Sequence, residues 1–258
     1  MTEPSEAVLL EVKDGVAVVT LNRPHVRNAI DKPTADLVAA RLDEVDERDD
    51  VSVVVLAGNG PTFCAGMDLK AFAATRERPR HAVRGGFGIV EKPAAKPMIA
   101  AIEGKALGGG LEIALACDLI VAGESAQLGL PEVKRGLVAA AGGVLRLPAR
   151  IPRAVAMELV LTGESVSARR GLELGLVNRV APDGEALATA VALARSIAAN
   201  APLALKAAKR IVIDSADWPL DEAFERQEAF TGPVRASDDA AEGARAFVEK
   251  RPPVWTNS

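Results

Sequence analysis

The chain has 258 residues and a formal charge of −4, and aromatic residues make up only 3% of it: six Phe, two Trp and no Tyr. Two cysteines, Cys64 and Cys117, are too few for a zinc site or a disulfide framework, and two histidines argue against a multi-histidine metal centre, so no metal is expected. A slightly acidic chain with few stacking partners also argues against nucleic acid. Acid–base chemistry, if the chain is an enzyme, therefore falls to carboxylates or lysines.

At roughly 150 residues per domain the length fits one large domain, or one domain with an appendage. The start, Met1-Thr2-Glu3-Pro4-Ser5-Glu6, is acidic and lacks the basic-then-apolar layout of a signal peptide. No apolar run approaches the roughly 18 residues that span a membrane. Free cysteines fit a reducing compartment. A soluble, cytoplasmic protein without a membrane partner is expected.

The first elements read as a hairpin. Val8 to Val12 and Val16 to Leu21 flank Lys13-Asp14-Gly15, and Asp-Gly is a strong turn signal. From Lys32 to Glu47 apolar residues recur at helical spacing. Val51 to Leu56 reads as a buried strand, ended by Gly58-Asn59-Gly60-Pro61. The order then recurs: a strand over Pro97 to Ile102, a helix over Gly108 to Cys117, a strand over Asp118 to Ala122. Strands alternating with helices predict an α/β domain with mostly parallel pairing, and no fixed repeat length marks a solenoid. After Pro182 only helices are predicted, over Asp183 to Asn200, Pro202 to Ser215, Pro219 to Phe230 and Ser237 to Lys250, with Asp183, Asp221 and Ser237 as caps. Arg76, Arg78, Arg80, His81 and Arg84 cluster in one segment, which reads either as a solvated mobile loop or as a basic lid over an anionic substrate.

Gly108-Gly109-Gly110 stands directly before the helical run Leu111 to Ala116. Glycines let the backbone approach another group closely, and a helix start offers free N–H groups. That pair of features suits an anion or a transient oxyanion. It is neither a phosphate loop of the Walker type nor a dinucleotide fingerprint, because the glycine spacings fail. Glu112 lies in the first turn of this helix, and Glu132 follows Pro131 in a loop. Two carboxylates beside such a helix could hold a water and move protons. A second glycine turn, Phe63 to Lys70, could aim its own N–H groups at the same place, making an oxyanion hole. Cys64 within it reads as a small buried residue rather than a nucleophile, since no His stands in a partner motif.

Taken together, Leu21-Asn22-Arg23-Pro24 with Arg27-Asn28-Ala29-Ile30-Asp31, the turn Phe63 to Lys70, Ala106 to Glu112, Leu130 to Lys134 with Gly142-Gly143, and Ala246 to Arg251 resemble the enoyl-CoA hydratase/isomerase (crotonase) superfamily over essentially the whole chain. The resemblance implies a spiral of ββα units over residues 1–195 and a C-terminal helical oligomerisation region over 196–258. It implies a homotrimer, or a hexamer built as a dimer of trimers, acting on acyl-CoA thioesters. Coenzyme A is then part of the substrate, and no separate cofactor is expected. Carried over by position, Ala65 and Gly109 supply the oxyanion-hole N–H groups, and Glu112 and Glu132 hold the water of a hydratase. The stretch His25, Val26 and Arg27, together with Ala65, Gly66, Met67, Asp68, Leu69 and Gly109, resembles substrate- and CoA-binding positions. Phe247 and Lys250 resemble residues that reach CoA from a neighbouring subunit.

Both glutamates being present favours an enoyl-CoA hydratase, since isomerase members commonly keep only the second acid. The chain departs from many hydratases at Val138-Ala139-Ala140-Ala141, and it resembles a carnitinyl-CoA dehydratase branch at Gly142 to Pro148 and Pro253-Val254-Trp255, without that branch's acid. The alternatives are such a dehydratase, an enoyl-CoA isomerase, or a non-catalytic acyl-CoA-binding protein.

Overall fold

A computed structural model describes residues 6–258, so the reading of Met1 to Ser5 lies outside the described residues. The hairpin forms as predicted. Val8–Lys13 (β1) pairs antiparallel with Val16–Leu21 (β2), and Asp14 and Gly15 both take positive φ, as a I′ turn requires. A 3₁₀ turn at Pro24–Val26 leads to Lys32–Glu47 (α1), capped by Asp31, whose Oδ1 accepts from the Thr34 N–H at 2.9 Å. Val53–Gly58 (β3) starts and ends two residues later than predicted. Leu69–Thr75 (α2) is capped by Asp68. A two-residue ladder, Arg80–His81 (β4) with Gly85–Gly86 (β5), precedes Met98–Ile102 (β6), Lys105–Leu107 (β7) and Gly109–Ala116 (α3). Leu119–Gly123 (β8) and Gln127–Gly129 (β9) follow, then a 3₁₀ turn at Pro131–Arg135. Gly143–Arg150 (α4), Arg153–Thr162 (α5), Ser165–Ser167 (β10), Ala168–Leu174 (α6) and Arg179–Ala181 (β11) complete the body.

The strands form two layers. The main sheet has the order β1-β2-β3-β6-β8-β11 and is parallel apart from the β1–β2 hairpin. The second layer is the sheet β10-β9-β7, extended by the single-residue bridges Cys64–Ala106 and Ile30–Met67. Each turn of chain thus lays one strand in the main sheet, one strand or bridge in the second layer, and then a helix: β2, Ile30, α1; β3, Cys64 to Met67, α2; β6, β7, α3. This is the ββα spiral. Its main strands start at Val16, Val53, Met98 and Leu119. Those uneven intervals hide the repeat from any search for a fixed period.

The strands of the main sheet are apolar throughout because both faces are covered. Val53, Val55, Ile99, Ala101 and Val121 face Ala186–Ala198 (α7), which lies on them through Ala186, Ala190 and Ala194. Alanine at four-residue spacing lets this helix approach the sheet closely. Val54, Leu56, Met98, Ala100 and Ile102 face the larger core with α1 and α3. Pro202–Asp214 (α8), Ala223–Arg235 (α9) and Asp238–Glu249 (α10) finish the chain.

Three predictions need correction. Asp183 does not cap α7, because its Oδ1 accepts from the Ser125 N–H at 2.9 Å. Asp221 does not cap α9 either; that helix begins at Ala223, after Glu222, and runs on through Pro233 to Arg235. Arg84 belongs to neither a mobile loop nor a lid. Its guanidinium is 1% exposed and pairs with Asp43 and Asp46 of α1 at 2.8 and 2.7 Å. Ser237 does cap α10. Among the described residues no single helix is long and apolar enough to cross a membrane.

Candidate active site

The C-terminal ends of β3 and β6 release the chain toward one place. After β3, the Cys64 N–H donates to the Lys105 carbonyl at 3.2 Å and the Cys64 carbonyl accepts from the Leu107 N–H at 3.4 Å, fixing this turn against β7. Gly66 follows at φ +88°, a conformation open to glycine. The turn reverses the sense of the peptide groups. The Ala65 N–H points back and donates to the Arg27 carbonyl at 3.1 Å, whereas the Gly66 carbonyl and the Asp68 N–H both bond Ile30. The Met67 N–H between them has no partner among the described residues. This corrects the reading of Ala65 as an oxyanion donor: its N–H is already spent, and the free one is two residues on.

Gly109 is the first residue of α3, and its N–H is one of the unpaired groups of a helix start. The backbones of Gly66 and Gly109 touch: a Cβ on Gly66 would stand 2.9 Å from the Gly109 nitrogen, and one on Gly109 would stand 3.1 Å from the Gly66 Cα. The N–H groups of Gly109 and of Met67, next to Gly66, without partners among the described residues, thus belong to two backbone segments in contact at a positive helix end.

The two glutamates meet the same helix start. Glu112, on the first turn of α3, is 3% exposed. Its Oε1 accepts from the Ala141 N–H at 2.7 Å and the Gly143 N–H at 2.9 Å, which leaves Oε2 for the site. Burial pushes this carboxyl above its usual range, and the two backbone bonds and nearby Arg146 pull against that shift. Glu132 sits on the 3₁₀ turn after β9, with Oε1 3.1 Å from where a Cβ on Gly108 would stand. Its Oε2 is enclosed and has no hydrogen-bond partner among the described residues. Burial raises this carboxyl too, and the charge of Glu112 pushes in the same direction, while its own backbone N–H and nearby Arg135 pull against the shift. An enclosed oxygen without a partner is costly unless a water or ligand supplies one.

Among the other predicted residues, Arg27 borders the site through its bond to Ala65, with exposed His25 and half-buried Val26 on the turn before it. Asp68 is committed to the frame: Oδ1 caps α2, and Oδ2 meets Arg23 Nη2 at 3.2 Å. Leu69, 55% exposed, opens α2 beside it. Cys64 is fully buried, and burial pushes its thiol up to about 12, which keeps it protonated. The structure does not bring Phe247 and Lys250 to this place. They sit near the end of α10, whose Gly243 packs on Trp255. Trp255 in turn bonds the Ala199 carbonyl and shares a cavity with Ser52, just before the start of β3. The site lies beyond the other end of that strand.

Two residues of the site region stand outside the candidate site residues. Phe87 lays its ring against Gly109, and Arg146 donates to the Val90 carbonyl while lying over Gly142. Phe87 has no sequence signal beyond its type; Arg146 lies in the Gly142 to Pro148 stretch, but only folding brings residue 87 to residue 109 and residue 146 to residue 90. No group of three or more His, Cys, Asp or Glu among the described residues could hold a metal.

This arrangement can polarise a carbonyl and handle protons beside it. The family model for enoyl-CoA hydratase/isomerase matches residues 11–258. An enoyl-CoA hydratase of Mycobacterium tuberculosis is 40% identical, with 99% of this chain and 98% of the relative covered. A carnitinyl-CoA dehydratase of Salmonella typhi is 39% identical over 97% of this chain and 98% of its own. The crystal structure of an enoyl-CoA hydratase from Mycobacterium marinum superposes with a TM-score of 0.95 at 51% identity, covering 98% of this chain and 99% of that one.

Proposed function

The chain belongs to the enoyl-CoA hydratase/isomerase family, and from that premise we propose how its residues add water across the 2,3 double bond of a 2-enoyl-CoA thioester. The observation that carries the reading is the enclosed, partnerless Oε2 of Glu132, beside Glu112 and two unpaired amides. The thioester oxygen takes the Met67 and Gly109 N–H groups, with Met67 standing in place of Ala65. That polarisation makes C3 electrophilic, and each such donor contributes about 3 kcal/mol of barrier lowering.

The two environments divide the labour between the carboxyls. Burial raises both carboxyls, so the roles are assigned from their contacts: Glu112, with Oε1 held by two amides, orients the water through its remaining oxygen, and Glu132, whose enclosed Oε2 has no partner among the described residues, is assigned the proton given to C2. The water oxygen bonds C3 as the π electrons move toward the thioester, and the resulting enolate oxygen rests between the two amides. Glu132 gives its proton to C2. The proton lost by water passes to the carboxylate pair, which ends with as many protons as it began. No resident cofactor enters; coenzyme A arrives with the substrate. Its nucleotide end is assigned to His25, Val26 and Arg27, with Phe247 and Lys250 supplied by a neighbouring copy in a trimer or hexamer assembled through residues 196–258. The compartment is assigned as the cytoplasm.

Glu132→Gln tests this reading in water enriched with heavy oxygen. Unsubstituted protein should incorporate label into the product of crotonyl-CoA, and the variant should lose about 10²–10⁴ of kcat while still binding the ester. A variant retaining most of its rate removes Glu132 from the mechanism. A second reading, the same chemistry run as dehydration of carnitinyl-CoA, is favoured by the 39% identity to the Salmonella typhi relative. Faster turnover of carnitinyl-CoA than of crotonyl-CoA would select it.

A further inference from the structure

From the geometry we infer that Phe87 sets which acyl groups the site accepts, as a rigid wall against the carbons next to the thioester. The inference rests on the hydratase reading above.

The ring of Phe87 occupies the space where a side chain on Gly109 would stand: a Cβ there would lie 2.3 Å from Phe87 Cζ and 2.8 Å from Cε2. Gly109 carries one of the two unpaired amides, so the ring borders the place assigned to the carbonyl. Whatever is attached to that carbonyl must pass the ring. Phe87 itself is 7% exposed, and it holds φ at +55°, a left-handed value that is a genuine outlier for a bulky side chain. Such conformations persist only where the surroundings impose them, and they cluster at functional sites.

Here the imposition is visible. The Phe87 N–H donates to the Pro79 carbonyl at 2.6 Å. On one side of it, Gly88 presses on α1, where a Cβ would stand 2.0 Å from the Ala35 carbonyl oxygen. On the other, buried Arg84 is bonded to Asp43 and Asp46 of the same helix. Across the site, Arg146 ties the Val90 carbonyl of this loop to the turn that bonds Glu112. The segment is therefore pinned to α1 and to α4, and its one aromatic ring is directed at Gly109. No hydrogen bond from that ring enters the chemistry, so its contribution is shape.

A wall next to C2 and C3 discriminates by branching more than by chain length. An extra methyl against a hydrophobic wall changes kcat/KM by roughly 10–200-fold. The test compares kcat/KM for crotonyl-CoA with that for 2-methylcrotonyl-CoA, in the unsubstituted protein and in Phe87→Ala and Phe87→Leu. The expected result is a branched-to-straight ratio about tenfold higher or more in Phe87→Ala, with a smaller rise in Phe87→Leu. Because the readout is a ratio measured on one preparation, a uniform loss of active protein cancels. If Phe87→Ala does not fold, Phe87→Leu decides alone. A ratio within twofold of the unsubstituted protein overturns the inference. Unsubstituted protein that hydrates neither ester overturns the hydratase reading instead, so the two failures are distinct.

Discussion

Replacing Gly110 by alanine should separate the two amide donors while both site glutamates are retained. The new Cβ would stand 2.0 Å from the Cys64 carbonyl oxygen and 2.8 Å from its carbon. The Cys64 backbone cannot step aside, because its N–H and carbonyl are both bonded to the β7 segment and its thiol donates to the Asn28 carbonyl at 3.1 Å. The first turn of α3 must instead retreat by about 1 Å or more to reach ordinary contact, taking the Gly109 N–H away from Met67. A misplacement of about 1 Å costs ~10²-fold in rate, and outright loss of one oxyanion donor costs ~10²–10³. The overpacking costs about 1–3 kcal/mol of stability, and each kcal/mol lowers the midpoint of a chain this size by ~2–4 °C. The assay is steady-state hydration of crotonyl-CoA, followed by loss of the conjugated thioester absorbance well below the measured melting temperature. Gly232→Ala serves as control, since its Cβ would meet only Glu228 Oε1, at 3.3 Å. A folded Gly110→Ala protein that keeps kcat within about threefold would refute the claim that this glycine contact holds the donor pair together.

Further outcomes follow from the charges. Both site glutamates are pushed above the usual 4.5, so the acid limb of kcat/KM, where Glu112 gains a proton, and the alkaline limb, where Glu132 loses one, should both lie above that value; a limb at or below it would contradict this. A carboxyl whose folded value is raised binds its proton more tightly in the folded state, so stability falls as pH rises from the unfolded value through the folded one. Glu132→Gln should therefore flatten the decline of melting temperature between mildly acidic and neutral pH, and a steeper decline would show that Glu132 is not the penalised group. At the other end of the chain, Arg251 draws Glu242 down to about 2, with the Val254 N–H bonded to the same carboxylate at 2.9 Å. A depressed carboxyl contributes stability that is complete above the unfolded value and lost as pH falls toward the folded one. Glu242→Gln should accordingly speed hydrogen exchange at the Val254 amide, and unchanged exchange would show that the tail is held otherwise.

Local chemistry wrote much of the fold into the sequence. The Asp14-Gly15 turn, the helix from Lys32 to Glu47 and the apolar strands through Val53 and Met98 follow from turn preference, helical spacing and two-sided burial. Caps were less legible. Ser237 caps as its type predicts, but Asp183 is drawn to the Ser125 amide, a partner 58 residues away that no local rule could supply. One member of the basic cluster misled for the same reason: the segment reads as a solvated loop or a lid, and Arg76, Arg78 and Arg80 are indeed exposed, yet Arg84 is buried by two acids on α1.

At the site, the division is between which groups exist and where they point. Glycines before a helix announced free amides, and the scarcity of histidine and cysteine left proton transfer to Glu112 and Glu132. That much is a matter of composition and order along the chain. The direction of an amide is a property of φ and ψ and of the strand alongside. Only the pairing of Ile30 with the 66–68 segment turns the Ala65 N–H inward and leaves that of Met67 free. Only the approach of the 139–143 turn bonds one oxygen of Glu112 to two backbone amides, while Oε2 of Glu132 is enclosed without a partner among the described residues, setting the two carboxyls apart. The sequence determined the kinds of groups available, and the tertiary structure decided which of them remained unpaired, because hydrogen bonds and burial are satisfied between segments distant along the chain.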